Sequence, residues 1–159
     1  MATLASNIWL QLITATIGTL GFGILFKLRG KNLFFSALGA FITWGIYILV
    51  FNNLEIENYN RAKFIAAISA SLSVAIYAQI MARVNKAPAT VFLATSAFPL
   101  IPGANLYYMM YDIVIGDIAG FKNNAIILII TCLAMAFGFT IVEAFNKYIF
   151  IFSWGNRKK

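Results

Sequence analysis

Five stretches of this chain run without a single charged residue: Ile8 to Phe26, Leu33 to Phe51, Phe64 to Ala82, Ala87 to Tyr111 and Asn123 to Val142. Each is close to or longer than the roughly 20 residues that an α-helix needs to cross a hydrocarbon layer. Inside a bilayer no water reaches a bare N–H or C=O, so a spanning segment either bonds to itself as a helix or closes into a barrel. Barrel strands alternate polar and apolar residues over segments of about ten, whereas these runs are apolar throughout and rich in Ala, Gly and Leu. The expected fold class is an all-α integral membrane protein of about five transmembrane helices. With 11% charged residues and a mean hydropathy of +0.85, little is left for a soluble domain. The longest segment expected outside the membrane is Asn52 to Lys63. A single membrane domain over residues 1–159 is expected, with spans at about 8–26, 33–51, 64–82, 87–116 and 123–151.

The net charge of +7 would suit nucleic acid if it were gathered on one surface, but it alternates with the spans. Lys27, Arg29 and Lys31 follow the first, Arg83 and Lys86 the third, and Lys147, Arg157, Lys158 and Lys159 the fifth. The other side carries only Arg61, Lys63 and Lys122, beside Glu55, Glu57, Asp112 and Asp117. Nine basic residues against three assign the richer side to the cytoplasm by the positive-inside rule, giving an N-terminus outside and a C-terminus inside. The expected surroundings are the lipid bilayer, with no nucleic acid. The opening MATLASN lacks the basic start of a secretory signal, and the first span is longer than a signal-peptide core, so it is expected to be retained.

The fourth run holds the segment PLIPGAN, residues 99–105. Pro99 has no N–H for the Thr95 carbonyl and Pro102 none for Phe98, while Phe98 and Ile101, each preceding a proline, are pushed from helical geometry. A helix broken near 99–103 follows. Freed backbone at membrane depth must be buried in protein or line a wet cavity. With Pro102 opening a second half-helix, the N–H groups of Gly103, Ala104 and Asn105 form an amino end carrying roughly half a positive charge. Discontinuous helices of this kind face anionic substrates in secondary transporters. The competing reading is a proline kink that only shapes packing.

Beyond the break, Asn105, Tyr108, Met109, Asp112 and Gly116 share one helical face by their spacing. Asp112, about 14 Å of helix beyond Gly103, is read as a proton-coupling carboxylate or gate, or else as an ordinary interfacial Asp; Asp117 reads as the exit loop. Ser69 and Ser73, with Ala66 and Ala70, form a small-residue packing face, and the Thr and Gly residues of the first span read likewise, with Gln11 as its one bulky hydrogen-bonding group. Arg83 is an anchor reaching for headgroups, or a guanidinium at a pore mouth suited to carboxylates. Glu143 is set to pair with Lys147 one turn on, or to relay protons. Trp9, Trp44, Tyr47, Tyr148 and Trp154 fit an interfacial aromatic belt, with Trp44 deeper.

The chain has no His and one Cys, Cys132, and its five carboxylates are scattered, so no metal cluster and no internal disulfide are expected. Nor does it carry a P-loop, a dinucleotide fingerprint or a nucleophile elbow. No enzyme activity, catalytic residue or cofactor is expected.

The stretch RVNKAPATVFLATSAFPLIPGANLYYMMYDIVIGD, Arg83 to Asp117, resembles the signature region of the threonine/serine exporter family, in particular the small subunit of its split two-component form. Ala87-Pro88, the Pro99-x-x-Pro102-Gly103 break, a tyrosine at 107 or 108 and the closing Gly116-Asp117 carry the likeness. The resemblance implies export of small carboxylate-bearing metabolites, threonine and serine or dicarboxylates such as succinate, across the bacterial inner membrane. It also implies a larger membrane subunit of the same family as partner. The expected substrate site combines Thr95, Ser96, Pro99, Pro102, Gly103, Ala104, Asn105 and Tyr108, with Asp112, Glu143 and Arg83 as gating or coupling residues. Two rivals stand beside it: a non-transporting scaffold subunit, in which the break only makes room for a partner's helix, and a homo-oligomeric channel.

Overall fold

Two asparagines start the first and third long helices. Asn7 Oδ1 accepts from the Trp9 amide at 3.2 Å, and Asn58 Oδ1 from the amides of Asn60 and Arg61 at 3.1 and 3.4 Å, filling the acceptor gap of a first helical turn. The computed structural model describes residues 7–54 and 58–156. Glu55, Glu57, Arg157, Lys158 and Lys159 fall outside the described residues, as does the side chain of Trp154. The helices are α1 (Ile8–Leu25), α2 (Lys31–Asn53), α3 (Tyr59–Asn85), α4 (Ala89–Ser96), α5 (Gly103–Ile115) and α6 (Ile118–Asn156), with a 3₁₀ turn at Phe98–Leu100 between α4 and α5. There is no strand among the described residues.

Four of these helices are long and apolar enough to cross a membrane, and the number rises to five when the bent pair Ala89–Ser96 and Phe98–Ile115, turned by 41°, is counted as one span. Helix limits differ from those read off charge-free runs. α3 begins at Tyr59 and α6 at Ile118, so Arg61, Lys63 and Lys122 lie within helices rather than in loops. Asp117 is not merely an exit loop: its Oδ1 accepts from the amides of Ala119 and Gly120 at 3.1 and 3.0 Å and so caps α6. Gly116 takes the left-handed conformation at φ 78°, which glycine enters without steric cost. That lets the Asp117 amide reach back to the Asp112 carbonyl at 2.9 Å. The Gly-Asp pair is thus a tight helix-to-helix corner.

α3 is the centre of the bundle, packed on α2, α4 and α6. It buries two stripes of mostly small residues, Ala62, Ala66, Ala70, Val74 and Ala78 on one and Ala67, Ser71 and Ala75 on the other. Small side chains let backbones approach and gain dispersion contacts where lipid offers no hydrophobic driving force. The approach is closest at two glycines. A carbon on Gly39 of α2 would sit 2.6 Å from Tyr77 and 2.8 Å from Ser96 Cβ, and one on Gly138 of α6 would collide with Ser71. Hydrogen bonds lock the same contacts: Tyr77 donates to the Phe35 carbonyl at 2.6 Å, Ser96 to the Ser36 carbonyl at 3.0 Å, and Ser71 to the Ala134 carbonyl at 3.3 Å.

Candidate functional site

The break is milder at its first proline than at its second. Ala97 stays helical and Phe98 remains in the 3₁₀ turn, because Pro99 sits at the first positions of that turn, where its missing N–H costs nothing. The chain unwinds at Ile101 (φ −62°, ψ 121°) and Pro102 (φ −78°, ψ 54°), as the residue before a proline favours. The backbone groups freed here are partly re-used: the Leu100 amide donates to the Ala97 carbonyl at 2.9 Å and the Ile101 amide to Phe98 at 3.1 Å. The Gly103 amide is consumed as well, closing a tight turn on the Ile101 carbonyl at 2.7 Å. The amino end of α5 therefore rests on the first-turn amides of Ala104 and Asn105, which have no acceptor one turn back.

A cavity of about 260 Å³ lies against this unwound segment. The segment itself contributes Pro99 through Pro102 together with Ala104 and Asn105; Trp44 and Tyr47 come from α2, Lys63 from α3 and Thr131 from α6. Four helices and the break thus converge on one hollow. The Lys63 ammonium lies 4.8 Å from the centre of the Tyr59 ring, a cation–π contact, and no described carboxylate comes within ion-pair reach of it. Lys63 is the residue that sequence reasoning missed, because its charge placed it in a loop. Its position one turn after Tyr59, on the face bearing the buried Ala62, Ala66 and Ala67, was the signal available. Trp44 and Tyr47, read as belt residues, are cavity wall, stacked with 4.9 Å between ring centres.

From the cavity a polar relay runs along the α5–α6 contact. Asn105 Nδ2 donates to Asn124 Oδ1 at 3.2 Å, and Asn124 Nδ2 donates to Asp112 Oδ2 at 2.8 Å. Asp112 is 8% exposed. Asp117 approaches the same spot: a carbon on Gly120 would meet Asp117 Oδ2 at 2.5 Å and Asp112 Oδ2 at 3.0 Å, so this glycine leaves room for both carboxylates. Asn124 went unnoticed in the sequence because it lies in an apolar run with nothing to mark its partner on α5.

The other expected residues are placed elsewhere. Thr95 and Ser96 are buried in α4 and do not line the cavity. Thr95 bonds back to the Val91 carbonyl at 2.8 Å, while Ser96 staples α4 to α2, so both hydroxyls already spend their protons on backbone. Tyr108 is 53% exposed and packs edge-on against Tyr107 outside the cavity. Arg83 is at the opposite end of α3, where it donates to Asn146 Oδ1, whose Nδ2 donates to Gln79 Oε1 at 2.9 Å; it ties α3 to α6 rather than facing the break. Glu143 is exposed and makes no ion pair with Lys147 among the described residues.

A family model for the threonine/serine exporter, ThrE, matches residues 11–145. The chain belongs to the threonine/serine exporter family. That match reaches into all six helices, the bent pair at the break included. No curated protein and no solved structure matches it. An exporter of this family is a membrane transport protein, which the long apolar helices of this chain fit.

Proposed function

We propose that this chain is one subunit of a secondary transporter that exports small carboxylate-bearing metabolites, threonine and serine or a dicarboxylate such as succinate, across a bacterial inner membrane, beside a larger membrane subunit of the same family. Its N-terminus faces outward, as the basic residues at the opposite end of the bundle favour. The observation that carries the reading is the cavity at the break. Its volume of about 260 Å³ lies below the ~300–1,000 Å³ of sites for drug-sized ligands and suits a metabolite of few heavy atoms. Two features favour a negative group there: the amino end of α5 at Ala104 and Asn105, and the Lys63 ammonium across the hollow.

Asp112 is the coupling group of this scheme. Ionised, it accepts from Asn124, whose oxygen then takes the N–H of Asn105 and leaves the Asn105 oxygen for the cavity. Protonated, Asp112 becomes a donor; the Asn124 amide turns its oxygen toward it and its NH₂ toward Asn105. The Asn105 NH₂ is then released to a carboxylate in the cavity. Proton occupancy of Asp112 thereby raises affinity for a carboxylate about 10 Å or more away along the helix, without either group touching.

The test is efflux of preloaded radiolabelled threonine, serine and succinate from cells expressing this chain, its companion subunit, or both. Efflux of at least one substrate only when both are present is the expected result. Flux from this chain alone would favour the homo-oligomeric channel. A stable complex with no flux of any of the three would favour the scaffold, for which α5 offers a specific surface: it packs mainly on α6 and leaves Leu106, Met110 and Val114 exposed.

A further inference from the structure

The cavity at the break is not the only hollow on this side of the bundle. A second, of about 470 Å³, is lined by Ile8 of α1, Phe51 and Asn52 at the end of α2, and Tyr59 at the start of α3. Ile8, Phe51, Asn52 and Tyr59 lie at helix ends on one side of the bundle, while Gln11, Tyr47, Ile48 and Lys63 carry the lining about one turn further in, so the hollow has the form of a vestibule. Among the described residues only Tyr47 and Lys63 line both it and the cavity at the break. They therefore stand where the two hollows adjoin, the neck of the path proposed below. An aromatic wall follows the same course: Trp44 stacks on Tyr47, Tyr47 lies parallel to Phe51 with 6.0 Å between ring centres, and Phe51 meets Tyr59 edge-on at 5.9 Å. Lys63 rests on the last of these rings.

A lysine one turn inside a membrane helix ordinarily extends its stem and leaves its ammonium in the headgroups. Here the ammonium is held over the Tyr59 ring, half-buried, on the wall of two hollows. A cation–π contact leaves the N–H bonds on the far side of the ammonium free to donate, and an ammonium partly removed from water holds a carboxylate more strongly than one in bulk solvent. The wall between the hollows is otherwise aromatic and has no fixed anion among the described residues to hold a cation.

We propose that Lys63 is the transfer cation of the export path: at the neck, its ammonium takes the substrate carboxylate from the amino end of α5 and passes it to the vestibule. This rests on reading the chain as a carboxylate exporter, and it narrows that reading to substrates that travel with an ionised carboxylate leading. Tyr47 forms the other side of the neck and sets its width.

The test is concentration-dependent uptake of radiolabelled threonine, serine and succinate into everted membrane vesicles carrying the full chain with its companion subunit. Wild type, Lys63→Gln and Lys63→Arg are compared at matched membrane levels. Loss of one charge-assisted hydrogen bond predicts a KM about tenfold higher or more in Lys63→Gln for whichever substrate is carried. Lys63→Arg, which keeps the charge, stays close to wild type. A lysine that merely anchors the helix predicts the same KM in all three, and that result would overturn the proposal while leaving the exporter reading in place. A wild type that carries none of the three substrates would instead remove the exporter reading, and this inference with it. If Lys63→Gln fails to reach the membrane, Lys63→Met and Tyr59→Leu serve in its place. Tyr59→Leu frees the ammonium to leave the neck, and a KM unchanged in that variant counts against the proposal.

Discussion

Ser36 and Ser96 show how a single hydroxyl is judged in this bundle. Both are fully buried, yet Ser96 donates to the Ser36 carbonyl, whereas the Ser36 hydroxyl has no partner. Burying an unpaired hydroxyl is unfavourable, and removing a paired one loses a bond of about 1 kcal/mol. Ser36→Ala is therefore expected to leave thermal stability in detergent unchanged or higher, and Ser96→Ala to lower it by about 1 kcal/mol; a reversed order would contradict the packing described at α2–α4. Asn124 carries a different expectation. Asn124→Leu cuts Asp112 off from Asn105, so an Asp112→Asn substitution that changes KM in the wild-type background should have no further effect on KM in the Asn124→Leu background, with both proteins still reaching the membrane. Equal effects of Asp112→Asn in the two backgrounds would show that Asn124 does not connect Asp112 to the cavity. At this scale the sequence was only partly legible. Asn105 and Asp112 were readable from helical spacing, but Asn124 and Lys63 were not, since periodicity within one helix says nothing about which residue of another helix it meets. Thr95 and Ser96 misled for a related reason: in a membrane helix a hydroxyl finds a backbone carbonyl one turn away before it finds a substrate.

Among elements, the long helices were legible because a charge-free run of about 20 residues has few other uses. Their ends were not, because caps such as Asn58 and Asp117 let a helix start outside the apolar run and carry charged residues into its first turns. The break was legible in kind and only approximately in place. Two prolines three apart predicted it, but Pro99 is absorbed at the head of a 3₁₀ turn, so the unwinding concentrates at Ile101 and Pro102. Close helix approach is the element-level property most open to test. Gly39→Val would drive a side chain into Tyr77 and Ser96, and overpacking of this kind costs about 1–3 kcal/mol. Gly18 faces open space, with no atom within 4 Å of an added carbon, so Gly18→Ala should be neutral. Melting temperatures of the two variants in the same detergent measure the difference. Equal values would mean that α2 does not pack on α3 and α4 as described.

For the whole molecule, the account joins a charge pattern, a broken span and two hollows into one path. Membrane class, family and the presence of a break follow from the sequence. The path does not, because it exists only where α2, α3, α6 and the unwound segment meet. In the proposed path, the group that would hold the substrate is the amino end of α5. Gly103 has no atom within 4 Å of an added carbon, so the first carbon of a new side chain meets nothing there, and Pro102→Ala restores an N–H that can extend the helix backward. The measurement that bears most directly on the account is efflux of threonine, serine and succinate by the Pro102→Ala, Gly103→Leu double variant, expressed at wild-type level with its companion subunit. The account predicts loss of about 90% or more of the flux, as removal of a charge-stabilising group at a binding site entails, with the complex intact. Export at the wild-type rate would contradict it, leaving the broken span as a packing device and the substrate path elsewhere.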